Sequence, residues 1–212
     1  MLPALPDVPA FFAARNQRAL LRGPGAFVLG HSWLFGLQRL GYRPFVLDCA
    51  IRFDVFQVVN AALAAGVSAE ETLLQIQVQR AFTPYQILDA LQEQKHATGF
   101  VTFLLAPCKQ FFDGDVGADE AEFLLKELAR QIALFPQPLL TIESTYKHKA
   151  FTPALLALRK AVQIEWILED TSLDRAGSKK TPGKMYGKNR SGVFAATTAL
   201  RRTPERLQKS TA

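Results

Sequence analysis

Short, continuously apolar runs separated by stretches with helical spacing restrict the fold of this chain more than any other feature. "RPFVLDCA" (43–50), "QIQVQRAF" (75–82), "GFVTFLLAP" (99–107), "PLLTIEST" (138–145) and "VQIEWILED" (162–170) read as strands. "AFVLG" (26–30), which follows a Gly-Pro-Gly turn, reads as one more. Strands that are apolar throughout, rather than at alternate positions, are buried on both faces. Helices are predicted from Pro9 to Leu21 and over "SWLFGLQRLG" (32–41), "FDVFQVVNAALAAG" (53–66), "ADEAEFLLKELARQIALF" (118–135) and "TPALLALRKA" (152–161). "SAEETLLQ" (68–75) opens with a serine cap and Glu71 three residues on. "TPYQILDALQEQKHA" (83–97) has Thr83 as cap and Pro84 at the first helical position. This alternation specifies an α/β fold, a mostly parallel twisted sheet flanked by helices. The expected organisation is an N-terminal segment (1–22), one α/β domain (23–170) and a basic C-terminal tail (171–212).

The charge is placed unevenly. Residues 171–212 hold ten Lys/Arg against Asp174 and Glu205, a local charge of +8, so the other 170 residues carry −2 of the net +6. Such asymmetry points to an anionic partner for the tail. A hairpin around "GKMYGKNRSGVFAATT" and disorder are equally compatible with its composition. Cys49 and Cys108, the only cysteines, suggest no disulfide framework and fit a reducing cytoplasm. The first 23 residues lack the unbroken apolar run of a signal peptide, and no run reaches the roughly 18 residues of a membrane helix.

Ligands on parallel sheets bind beyond the C-terminal ends of the strands. On this assignment those ends carry His31-Ser32, Asp48-Cys49, Thr83, Cys108-Lys109 and Glu143-Ser144. Residues 25–32, "GAFVLGHS", match the spacing of a phosphate loop, G-x-x-x-x-G-K-[ST], with histidine in place of lysine. Because "AFVL" suits a strand, "GHS" reads as a shortened loop.

Residues 45–94 resemble the core of the RecA/RadA recombinase superfamily. Asp48, Phe53, Gly66, Glu70, Glu71, Leu74, Arg80, Ala81, Phe82, Thr83 and Gln86 sit where that pattern places them, and the resemblance extends over about residues 24–170. It implies a RecA-like P-loop NTPase core and work in DNA recombination or repair. It also implies three chemical positions that this chain lacks. The phosphate-binding lysine falls on His31, the strand-end aspartate near Ala106-Pro107-Cys108, and the catalytic glutamate on Ala50. With all three gone there is no expected catalytic residue and no expected cofactor, and the resemblance implies a degenerate ATPase. Its expected partners are DNA, bound without sequence specificity, and a RecA/RadA-type recombinase.

Lys179, Lys180, Lys184, Lys188 and Arg190 are the predicted DNA-binding residues, with Tyr186 and Phe194 among them as stacking groups. One alternative retains ATP and Mg²⁺ at Gly25, Gly30, His31 and Ser32. Another is a regulatory protein-interaction module with no DNA role. His31, His96 and His148 are too scattered for a metal site. "FFDGDVGADE" (111–120) lacks calcium-loop spacing and reads as a loop and helix start. Phe11-Phe12 read as core packing, the alternative being a contact with a neighbouring subunit.

Overall fold

A computed structural model of the chain describes residues 8–13, 16–112, 116–145, 149–169 and 199–202. The order is α1 (Val8–Ala13), β1 (Arg18–Arg22), α2 (Ala26–Arg39), β2 (Arg43–Asp48), α3 (Val55–Ala64), α4 (Ala69–Leu74), β3 (Gln77–Arg80), α5 (Pro84–Gln94), β4 (Phe100–Leu105), α6 (Ala118–Ala133), β5 (Leu139–Glu143), α7 (Thr152–Ala161), β6 (Ile164–Glu169) and β7 (Ala199–Arg202). The strands form one sheet in the order β3-β2-β4-β5-β1-β6-β7. The first six are parallel, and β7 pairs antiparallel with β6. The sequence reading has no counterpart for β7.

Right-handed crossovers decide which helices share a face. The connections β1→β2 and β2→β3 step one way along the sheet; β3→β4, β4→β5 and β5→β6 step the other way. Helices α2 and α3 therefore cover one face, and α5, α6 and α7 the other. The core divides accordingly. Phe45, Leu47 and Leu104 pack with Ile87, Leu91, Leu128 and Leu158, whereas Val46, Phe103 and Ile142 pack with Leu34, Leu37 and Val58. Successive residues of β2 thus point to opposite faces. In β2, β4 and β5 burial on both faces is nearly complete, as continuous apolarity requires, while the edge strand β3 is exposed along its length.

Two expected elements are corrected. The segment from Pro9 to Leu21 is not one helix: α1 ends at Ala13, and "RALLR" (18–22) is strand β1, flanked in the sheet by β5 and β6. The run 26–30 is not a strand but the first turn and more of α2. Its buried positions Ala26, Gly30, Leu34 and Leu37 recur at helical spacing. Five residues were too few to separate the two periods. The caps read from sequence are present: Ser68 Oγ accepts from the Glu71 amide and Thr83 Oγ1 from the Gln86 amide. Phe11 and Phe12 pack within the domain, Phe11 edge-on to Trp166 at 5.3 Å and Phe12 stacked on Phe103 at 5.5 Å.

β1 and α2 are joined by Gly23-Pro24-Gly25 alone. Gly23 has φ +119°, and a Cβ there would lie 2.2 Å from the Leu168 carbonyl oxygen. The obstacle is a backbone carbonyl, so little can yield. Gly23→Ala is expected to lower stability by about 3 kcal/mol, read as a lower urea midpoint at unchanged slope.

Candidate functional site

The strand order reverses between β2 and β4 and again between β5 and β1, so the C-terminal ends of these four strands are where a parallel sheet opens a ligand crevice. They carry Arg22-Gly23, Asp48-Cys49, Ala106-Pro107-Cys108 and Glu143. His31 and Ser32, expected at the end of a first strand, lie instead in the second turn of α2.

The two carboxylates at these strand ends accept from the protein's own backbone, and Arg22 pairs with Glu165. Asp48 is fully buried. Its Oδ1 accepts from the Arg52 amide at 2.8 Å and the Ala50 amide at 3.4 Å, and its Oδ2 from the Phe53 amide at 3.2 Å. Arg80 Nε stands 3.9 Å from Oδ2. A carboxylate with these partners holds a loop in shape. Glu143 is also fully buried, and its Oε1 accepts from the Cys108 amide at 2.8 Å. Cys49 and Cys108 are buried free thiols. Burial pushes both thiols well up, and the Glu143 charge adds to it in each case, joined by Asp48 for Cys49. Protonated thiols out of solvent are poor nucleophiles. Gln110 Nε2 donates to the Cys49 carbonyl.

His31 is the pivot between α2 and the β2–α3 loop. Nδ1 donates to the Phe27 carbonyl, and Nε2 accepts from the Asp54 amide at 3.0 Å. Both ring nitrogens are therefore used, and the tautomer is neutral with its proton on Nδ1. Burial lowers the pKa, against smaller upward contributions from the Phe27 carbonyl and from Asp54 and Asp48. Next along the chain, the Asp54 side chain caps α3 by accepting from the Phe56 and Gln57 amides.

The four residues predicted to bind nucleotide do not converge. Gly25 is the left-handed N-cap of α2. Gly30 faces the sheet, where a Cβ would lie 2.2 Å from Ile142 Cδ1. Ser32 Oγ donates to the Leu29 carbonyl on the solvent side. Of the four, His31 lines a cavity that the other three do not reach. That cavity is an open cleft of about 440 Å³ between the starts of α2 and α3, lined also by Phe27, Ile51, Arg52, Phe53 and Phe56. Arg52 is exposed, with its guanidinium 5.6 Å from the Phe27 ring centroid. The sequence reading missed Phe27, Arg52 and Phe56. For Arg52 and Phe56 the available signal was their position soon after Asp48, where the chain must turn.

Lys179, Lys180, Lys184, Lys188, Arg190 and His148 lie outside the described residues, as do Asp113 and Asp115 of the acidic stretch. Among the described residues no three His, Cys, Asp or Glu side chains form a group able to hold a metal. No described helix is long and apolar enough to cross a membrane.

The His31 geometry has a titration consequence. Protonating Nε2 removes the acceptor for the Asp54 amide, and the native pKa lies below the unfolded value of about 6.5. The unfolded chain therefore takes up a proton that the native chain resists. The stabilisation is complete above pH ~6.5 and declines as pH falls through the native pKa, with a slope of at most about 1.4 kcal/mol per pH unit. Urea unfolding between pH 5 and 8 is expected to show this decline, and His31→Gln is expected to flatten it. No protein-family model matches the chain, and no curated protein matches it.

Proposed function

We propose that the protein is a binding module built on a RecA/RadA-like core, without an ATP cycle, that acts in DNA recombination or repair through DNA contact and a partner recombinase. The observation that carries the non-catalytic reading is the state of residues 23–32. A phosphate loop needs backbone long enough to wrap the phosphates and a cation to face them. Here three residues join β1 to α2, and the side chain in the lysine position is a neutral imidazole with both nitrogens bonded to backbone. The strand-end carboxylates Asp48 and Glu143 are likewise bonded to amides of their own domain. This geometry disfavours the alternative in which His31 replaces lysine at a working nucleotide site.

The DNA part rests on the charge of residues 171–212, where ten cations surround Tyr186 and Phe194. Phosphate neutralisation supplies affinity without reading sequence, each phosphate adding roughly 0.9 to the log-salt slope on duplex DNA. Stacking on single-stranded bases adds on the order of 1–3 kcal/mol per aromatic.

Fluorescence anisotropy with mixed-sequence single- and double-stranded oligonucleotides tests this reading. Binding is expected to weaken steeply with salt and to favour single strands modestly. Replacing Lys179, Lys180, Lys184, Lys188 and Arg190 with Ala is expected to weaken it at least ten-fold at low salt and to flatten the salt slope, with urea stability unchanged. Unchanged affinity in that variant, or no binding by wild type at low salt, removes the DNA role. In parallel, about 5 mM Mg-ATP is expected to leave the melting temperature unmoved. A saturable rise abolished by His31→Ala defeats the non-catalytic reading.

A further inference from the structure

The two helical layers of this molecule differ in kind. Outside α5 and α6 the exposed apolar side chains, Phe123 at 68% among them, stand among charges and ion pairs: Asp89 and Glu93 on α5, and the Glu122–Lys126 and Glu127–Arg130 pairs on α6. Across the sheet, α2 carries one formal charge, Arg39, and α3, "VFQVVNAALA", carries none. A helix that covers a core normally turns a polar, charged stripe to water. α3 instead turns out Phe56 at 74% exposure and Leu63 at 61%. Val28 of α2, Ile51 at 67% before α3, and Leu74 at 80% at the end of α4 extend the same apolar surface.

These elements are neighbours on one layer. Leu34, Leu37 and Val58 share a core cluster against which Leu73 of α4 packs, and Gln38 Nε2 of α2 donates to the Thr72 carbonyl of α4 at 2.6 Å. Among the described residues nothing covers the apolar side chains. Isolated exposed apolar residues are ordinary, but a patch on two almost uncharged adjacent helices is the mark of an interface.

The exposed charges around the patch decide what fits it. They are Arg39 and Arg52 on one side of the account, Glu70 and Glu71 on the other. Among the described residues no ion pair joins them; Arg52 lies over the Phe27 ring. A polyanion, or a basic segment such as this chain's own residues 171–212, would meet half of these charges as like to like. A second copy turned by a two-fold axis presents equal numbers of both signs and an equally apolar centre, the composition of homodimer interfaces.

We propose that the outer face of α2, α3 and α4 is a homodimer interface, with Phe56 and Leu63 at its centre and Arg39, Arg52, Glu70 and Glu71 paired across the two-fold axis. The interface uses nothing from residues 171–212 and stands apart from the DNA reading.

Sedimentation equilibrium of the full chain, with circular dichroism as the folding control, tests it. Wild type is expected to be dimeric at tens of micromolar, and Phe56→Asp with Leu63→Asp to be monomeric. Two charge variants make the test specific. Arg39→Glu with Arg52→Glu leaves an all-acidic rim, and Glu70→Arg with Glu71→Arg an all-basic one. Each alone is expected to self-associate at least ten-fold more weakly than wild type, and an equimolar mixture of the two to recover a dimer. Three results overturn the proposal: a monomeric wild type, a dimer that survives the Phe56/Leu63 change, or a mixture no better associated than its components. A photo-reactive phenylalanine analogue at position 56 is expected to cross-link to a second copy. Cross-linking instead to a different protein, or to residues 1–7 or 171–212 of the same chain, also overturns it. Oligonucleotide binding by the monomeric variants separates the two readings, since either can fail while the other holds.

Discussion

The Asp48 carboxylate is the constraint on which the upper end of this sheet depends. A carboxylate buried at the end of a central strand must be bonded, and here the amides of residues 50, 52 and 53 do it. Those three bonds turn the chain sharply enough for Ile51 to adopt a φ of +54°, a conformation that costs a branched side chain energy. The turn delivers the Asp54 amide to His31 and the Asp54 side chain to the start of α3. One buried acid thus fixes a loop, a helix start and the contact between two helices. It also gives Asp48 a structural task in the place where the recombinase resemblance leads one to look for chemistry.

The same economy is seen at β4 and β5. The Cys108 amide bonds to Glu143 Oε1, the Ala106 amide to the Ile142 carbonyl, and the Gly23 amide to the Glu143 carbonyl. These hydrogen bonds draw together the C-terminal ends of β1, β4 and β5.

The architecture was legible because its signals are redundant. β2, β4 and β5 are apolar over most of their length, and α4 and α5 open on the side-chain caps Ser68 and Thr83, which need no tertiary information. β1 was not legible. Its apolar content is three residues between Arg18 and Arg22, and both arginines are accommodated only by distant partners: Arg18 Nη1 donates to the Phe135 carbonyl, and Arg22 pairs with Glu165 at 2.6 Å. Misplacing β1 moved the first strand end to Gly30 and with it the whole reading of residues 25–32. His31 was singled out as a failed lysine, yet its two bonds, to Phe27 and Asp54, reach across elements that spacing alone does not bring together. The cleft residues Phe27, Arg52 and Phe56 were missed for a related reason. An aromatic on an apolar helix reads as core until the packing shows which face is left over.

The placement of β1 in the middle of the sheet has a consequence for how the chain is made. β1 leaves the ribosome before the other strands of this sheet, yet its two neighbours are β5 and β6, and the Arg18 amide donates to Gln163 Oε1 across 145 residues of sequence. At roughly 5–20 residues per second, β1 waits on the order of ten seconds for a partner during synthesis. The strands that complete first, β2, β3 and β4, form one half of the sheet, and its open edge at β4 is closed only when β5 arrives. Contacts of such long range make folding slow and leave strand edges exposed meanwhile. The last strands of the domain thus commit β1 to its place in the sheet.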